Sequence, residues 1–384
     1  MHAPRTQLKA EARPVDEVHD VFVMQGGGSL GAFQAGVYQA LDEAGVVPDW
    51  IAGISIGAIN GAIIAGNAPE DRVAALRKFW NLVSSDLLYH LDEPIGFARR
   101  AFNEASAAIG CTIGVPGFFN PRIPMPLPNW PREIGQLSYY DTTPLRRTLL
   151  DIVDFDRINH KDTRLSVGAV NIRNGNFAFF DNHEREIRVE HIMASGALPP
   201  GLPAVEVDGE WYWDGALLSN TPLQFVLDHR ETCCMNVFQV DLFAATGDMP
   251  RTMADVAQRE KDVRFSSRTR LNTDMNRRLQ KLSSAARRLA RKLPDDLLDD
   301  PDLAELLAYR PEGPVAIMHL INRGHGFETN SKDYEFSRMT VNEHWALGYH
   351  DAMISLKHPD WINRKLKPDE IATFDLVGAT PHVG

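Results

Sequence analysis

Apolar positions along the chain change period several times, and each change marks an element. Asp20 to Met24 is a short apolar run that stops at Gln25-Gly26-Gly27-Gly28, the pattern of a buried strand running into a tight loop. From Ala32 to Ala44, Phe33, Val37, Ala40, Leu41 and Ala44 share one helical face, and Gly45 ends it. Trp50 to Ile54 predicts a second strand and Gly57 to Gly66 a second helix. Strand, glycine loop, helix, strand, turn, helix is the pattern of a parallel sheet covered by helices. Helices are expected over Asp71 to Val83 and Pro94 to Ile109. Strands are expected over Leu165 to Val170 and Phe177 to Asp181, with a turn at Arg173-Asn174-Gly175. A second hairpin runs from Val205–Val207 to Trp211–Trp213 across Asp208-Gly209, and Val237 to Phe243 is one more strand. Val315 to Ile321 is a further strand, and Ser337 to Leu356 a last amphipathic helix.

Two segments depart from this alternation. Val115 to Arg132 holds six prolines among Phe118, Phe119, Met125, Leu127 and Trp130. So much apolar surface on a proline-fixed loop fits a lid or wall over a site, or a loop that caps the core. From Arg251 to Leu293 the chain has 13 Lys and Arg against 4 Asp and Glu, a net of +9. Within it Leu271, Met275, Leu279, Leu282, Ala286, Leu289 and Leu293 recur at three and four residues, an apolar stripe on a basic helix. Asp295 to Glu305 then carries six acids and no base.

Composition narrows the class. With 384 residues, 44% hydrophobic and 24% charged, the chain has globular composition and room for about two domains. A net charge of −11 argues against a protein that coats nucleic acid, yet it divides into +9 over 251–293 and −20 elsewhere. Cys111, Cys233 and Cys234 are too few for a disulfide framework and lack zinc spacing, which fits a reducing, cytoplasmic compartment. The first 19 residues carry Arg5, Lys9 and Arg13 with no apolar core and read as a flexible tail, not a secretory signal. No window reaches the roughly 18 apolar residues of a membrane span, so any membrane contact is expected to be peripheral.

Gly53-Ile54-Ser55-Ile56-Gly57 matches G-x-S-x-G between a strand and a helix. A sharp turn there pushes the serine hydroxyl out of the sheet, and the helix that follows aims its positive end at a developing oxyanion. Gly26, Gly27 and Gly28 end the preceding strand, where adjacent parallel strands would bring their N–H groups beside Ser55 as an oxyanion hole. Gly26, Gly28 and Gly31 also satisfy the dinucleotide pattern G-x-G-x-x-G, but the acid that pattern needs at the end of the second strand is replaced by the Ser55 turn. For a base, His229, His319, His325, His344 and His350 are open, though Ser55 comes too early for the Ser, Asp or Glu, His order of α/β-hydrolases. Asp214, at the end of a hairpin strand in Trp213-Asp214-Gly215-Ala216, is the better candidate to take the hydroxyl proton directly.

Four ordered blocks resemble those of the patatin-like phospholipases: Gly26 to Gly31, Gly53 to Gly57, Ala194-Ser195-Gly196-Ala197-Leu198-Pro199 with Pro203-Ala204-Val205, and Asp214-Gly215-Ala216 with Asn220-Thr221-Pro222. The resemblance implies a three-layer α/β/α fold with a mostly parallel central sheet and a Ser55–Asp214 dyad with Gly26, Gly27 and Gly28 as the oxyanion loop. It further implies hydrolysis of lipid acyl esters without metal or bound cofactor. The family usually has Arg or Lys where this chain has Leu30, which weakens a phosphate-holding role there. The segment from Lys332 to Tyr349 resembles an uncharacterised extension found in one bacterial branch of the family.

The expected layout is a tail over 1–19, a hydrolase domain over 20–248 and a mainly helical extension over 249–384. The expected partner is a lipid or other acyl ester, with small or oligomeric hydroxyacid esters as the alternative substrate and a non-enzymatic, membrane-associated scaffold or a nucleotide-binding protein as the alternative class. No nucleic acid is expected. For 251–293 two readings stand: adsorption to an anionic membrane at the inner face, or a solvated helix whose leucines pack on the hydrolase domain and whose charge Asp295 to Glu305 neutralises.

Overall fold

The computed structural model describes residues 18–84, 97–230, 234–266, 269–294, 297, 300–308, 313–324, 328–367 and 370–378. The tail up to residue 17, Cys233 and His325 lie outside the described residues. Nine strands form the main sheet among these residues: β1 (Val18–Met24), β2 (Trp50–Ile54), β3 (Arg164–Asn171), β4 (Phe177–Asp181), β5 (Val205–Val207), β6 (Glu210–Asp214), β7 (Cys234–Asp241), β8 (Val315–Ile321) and β9 (Ile371–Asp375). Their order is β9-β8-β7-β1-β2-β3-β6-β5, with β4 on β3. The run from β9 to β3 is parallel throughout, and the two hairpins supply the antiparallel pairs. The helices include α1 (Gly31–Glu43), α2 (Ile56–Ala65), α3 (Phe97–Ile113), α4 (Met253–Phe265), α5 (Thr269–Ala290) and α6 (Arg338–Lys357).

Alternation along the strands sorts the core into two faces. Phe22, Met24, Phe238, Ala316 and Met318 join α1, α2 and α6 on one side. Val21, Val23, Val237, Val315 and Ile317 face the helix Leu223–Asp228 on the other. Burial on both faces is what continuous apolar runs such as Val315 to Ile321 require, and it makes the three layers. One expected strand is displaced: Val237 to Phe243 becomes Cys234–Asp241. Leu242 and Phe243 leave the ladder because their N–H groups bond the Gln25 side-chain oxygen at 2.6 and 2.9 Å.

The C-terminal segment is woven into this framework. Its β8 pairs with β7, and β9 with β8, so both extend the central sheet. Helix α6 crosses α1 backbone to backbone: a Cβ added at Gly36 would sit 1.9 Å from the Trp345 carbonyl oxygen, and one at Gly348 2.1 Å from that of Phe33. The proline-rich loop divides into two parts. Phe118 and Phe119 are buried at its root, whereas Ile123 is 93% exposed and Met125, Leu127 and Trp130 also stand in solvent.

Candidate active site

Strands β1 and β2 end level, with Met24 opposite Gly53, so the loop after one adjoins the turn after the other. Ser55 holds φ 55° and ψ −123°, a conformation that costs a non-glycine residue about 1–3 kcal/mol and must be over-determined by its surroundings. It is: a Cβ at Gly53 would lie 2.4 Å from the Gly57 oxygen, and one at Gly57 2.4 Å from the Met24 oxygen, so both positions admit only glycine. The Ser55 N–H donates to Ser195 Oγ at 3.0 Å, and Ser195 Oγ donates to the Gly168 carbonyl at 2.7 Å. The Ser55 carbonyl accepts the first bonds of α2 from Ala58 and Ile59. The strained turn is thereby pinned to β3 behind it and to the helix ahead.

Strand β3 also places Asp214. Gly168 pairs with Ile54 on one side, and Ala169 with Asp214 on the other, so Ser55 and Asp214 flank β3 at one level. The carboxyl is 1% exposed, and its Oδ1 accepts from the Ala216 N–H at 2.8 Å. Oδ2 completes no hydrogen bond of good geometry, although the Ser55 hydroxyl is near enough to favour its charged form. Catalytic hydrogen bonds are often long before substrate binds. Burial pushes the Asp214 carboxyl up to about 7, against the opposing pull of the Ser55 hydroxyl and the Ala216 N–H.

The glycine loop is held from three directions. Gly26 donates its N–H to the Asn220 carbonyl at 3.2 Å, and Asn220 Nδ2 donates back to the Gly26 carbonyl at 3.0 Å. Of the three glycines expected to supply donors, Gly26 therefore has its N–H committed; those of Gly27 and Gly28 have no acceptor among the described residues. Ser29 donates its N–H to the Asp333 carbonyl at 2.9 Å and its hydroxyl to the Lys332 carbonyl at 2.6 Å. Gly28 has φ +55°, and a Cβ there would fall 2.0 Å from the Asp333 oxygen. Lys261 Nζ in turn bonds Asp333 Oδ1 at 2.7 Å. Gln25 Nε2 donates to Thr221 Oγ1 and to the Phe265 carbonyl, completing the brace.

Ser55, Asp214 and Gly26 to Gly28 all line one cavity of about 360 Å³. Phe118, Phe119 and Tyr140 wall one side, Leu198 to Leu202 another, and Phe243, Phe265, Tyr334 and Phe336 a third. Asp214 and Asp333 are the only charged side chains lining it among the described residues. Leu30 is fully buried in the core and does not reach the cavity, so no cation stands where the resemblance would place one. None of the candidate histidines that are described lines it either: His229 stacks on Phe225, His319 is buried beside Asp241, and His344 and His350 lie on α6. Among the described residues no group of three His, Cys, Asp or Glu could hold a metal ion, and no helix is long and apolar enough to cross a membrane. Sequence reasoning missed Gln25, Phe265 and Tyr334. Gln25 left a trace as a polar residue at the end of an apolar run, and Tyr334 as part of the segment from Lys332 that resembles a bacterial extension.

A family model described as patatin-like phospholipase matches residues 22–227, more than half of the chain, and a second, described as patatin phospholipase, matches residues 263–368. The chain is 31% identical over 201 residues to an uncharacterized NTE family protein of Mycobacterium tuberculosis, covering 52% of this chain and 27% of that protein. It is 54% identical over 46 residues to lysophospholipase nte1 of Aspergillus terreus, 12% of this chain and 3% of that one. The chain thus spans about a quarter of the length of the mycobacterial relatives it matches. Among solved structures, VipD from Legionella pneumophila aligns with a TM-score of 0.38 at 14% identity, over 88% of this chain and 66% of that one.

Proposed function

The chain belongs to the patatin-like phospholipase family, and from that premise we propose that it hydrolyses carboxylic esters of lipids, with Ser55 as nucleophile and Asp214 as general base. The observation that carries this reading is the strained Ser55 on a cavity floor beside a buried carboxyl whose pKa is about 7. A base poised near neutral pH is best matched to taking and returning a proton.

In the first step Ser55 Oγ attacks the ester carbonyl as its proton passes to the Asp214 carboxylate. The Gly27 and Gly28 N–H groups and the N-terminal end of α2 stabilise the tetrahedral oxyanion. Collapse expels the alcohol, which takes the proton from Asp214, and leaves an acyl-Ser55. Water, deprotonated by the same carboxylate, then releases the acid. No described histidine lines the cavity.

The cavity selects by volume and charge. At about 360 Å³ it lies at the small end of ligand pockets, which run from about 300 to 1,000 Å³, and its aromatic and leucine walls suit one short or bent acyl chain. With no cation among the described residues of its lining, and with Lys261 behind it paired to Asp333, it favours an ester whose reacting end is uncharged; a phosphate group would remain outside. The same features favour a second reading, an esterase of small or oligomeric hydroxyacid esters. Lipid as substrate brings with it peripheral contact with an anionic membrane at its inner face, through 251–293.

The test is turnover of a short p-nitrophenyl ester by the wild type, Ser55→Ala and Asp214→Asn. Both variants should be inactive and folded. Full activity in either removes the dyad, and failure of a fluorophosphonate to label the wild type would favour a scaffold.

A further inference from the structure

Helix α5 is packed with its polar side inward. Gln280, Ser283, Ser284 and Arg287 are buried, and Gln280 Oε1 accepts from Arg230 Nη2 at 2.9 Å. The leucine stripe is left at the margin: Leu279, Ala286 and Leu293 are half-buried, while Met275, Leu282 and Leu289 are 50%, 66% and 58% exposed. These three recur every seventh residue and so fall on one side of the helix. Among the described side chains, the charged neighbours on the exposed arc, Arg278, Lys281, Arg288 and Lys292, are basic and exposed. None has an ion-pair partner among the described residues, Asp300, Asp302 and Glu305 included; Asp295, Asp296 and Asp299 of the acidic run lie outside the described residues. Leu279, Ala286 and Leu293 belong to neither core cluster, and Leu271 lies outside the described side chains.

We propose that α5 docks the protein on an anionic lipid surface, with Met275, Leu282 and Leu289 entering the interface and Arg278, Lys281, Arg288 and Lys292 meeting the headgroups. An apolar stripe edged by cations is the composition of a helix that lies in a membrane interface. A second copy of the chain fits worse, because a two-fold contact through this face would set Lys281 and Arg288 against like charges. The proposal deepens the lipid reading by naming where the lipid surface is met, but it does not depend on turnover.

The test is cosedimentation of the full-length Ser55→Ala chain with vesicles of phosphatidylcholine alone and with added phosphatidylglycerol, at low and high salt. Binding is expected only to the anionic vesicles and only at low salt. Lys281→Glu with Arg288→Glu should weaken it by on the order of tenfold per charge reversed. Leu282→Gln with Leu289→Gln should weaken it at least tenfold, and both pairs, placed in the chain with Ser55 intact, should leave hydrolysis of a soluble ester unchanged. Absence of binding to anionic vesicles at low salt, binding indifferent to both pairs, or a dimer that the leucine pair dissolves would overturn the proposal. Vesicle binding without any ester turnover would leave the docking in place and remove the hydrolase reading instead.

Discussion

The cavity floor is made by Gly26 to Gly28, Ser55, Ile56, Asp214 and Ala216, where most side chains are small or polar and Ser55 holds a positive φ. Its far wall is made by Phe265, Asp333, Tyr334 and Phe336, where rings fill space and one carbonyl oxygen grips the glycine loop through Ser29. The floor admits almost no substitution, because Gly53 and Gly57 are in backbone contact and Asp214 is sealed from water. The wall tolerates change in its rings but not in the backbone path that brings Asp333 to Ser29. Phe118, Phe119, Tyr140 and Leu198 to Leu202 enclose the floor from within the same part of the chain, while Tyr334 and Phe336 reach it from the C-terminal segment, whose β8 and α6 are built into the central layers.

That division orders the expected effects of mutation. Ser55→Ala and Asp214→Asn, on the floor, should each lower kcat for a soluble ester by about a thousandfold or more, read by steady-state kinetics on protein whose circular dichroism is unchanged. Blocking the α1–α6 contact with Gly348→Val should cost roughly 3 kcal/mol of stability, because the Cβ would lie 2.1 Å from the Phe33 oxygen and one helix must move. Urea denaturation measures this, and residual activity should fall with it if the wall depends on α6. Wild-type stability in that variant would show that the C-terminal segment is not integral.

A third effect has the opposite sign. The Asp214 carboxyl titrates near 7 when folded and near its ordinary 3.8 when unfolded, so the folded state binds the extra proton between those values. Stability contributed by this group is therefore highest in acid and falls as pH rises through the window, at about 1.4 kcal/mol per unit, to a ceiling near 4 kcal/mol above pH 7. Asp214→Asn should accordingly be more stable than wild type at pH 8 and equal to it near pH 4, by thermal denaturation. Equal stability at both values would mean that the carboxyl is not desolvated. The smallest effect is expected from Lys261→Ala, which frees Asp333 without removing its carbonyl: a loss of about tenfold or less in kcat/KM, well below the 10²–10³ of deleting an oxyanion donor.

The floor was legible in the sequence because its constraints are local. Gly53, Ser55 and Gly57 sit together in the chain, and a strand before with a helix after is enough to give the serine its turn. Asp214 could be singled out by its hairpin position, and the β2-β3-β6 register places it level with Ser55. The commitment of the Gly26 N–H to Asn220 was hidden, since it joins residues 194 apart. The wall was hidden for the same reason: Phe265 and Tyr334 face Ser55 only after β8 and α6 have packed. In α5 the period marks the helix and leaves open which side is covered, because periodicity shows that a helix has two faces and says nothing of which one a neighbour will cover.

The most direct measurement is the rate at which a fluorophosphonate labels the protein as a function of pH, with the adduct located by mass spectrometry. Labelling is expected on Ser55 alone, with a rate that falls as pH drops through about 7 and is lost in Asp214→Asn. An adduct on another residue, or a rate in Asp214→Asn equal to that of the wild type, would contradict a Ser55 nucleophile activated by Asp214.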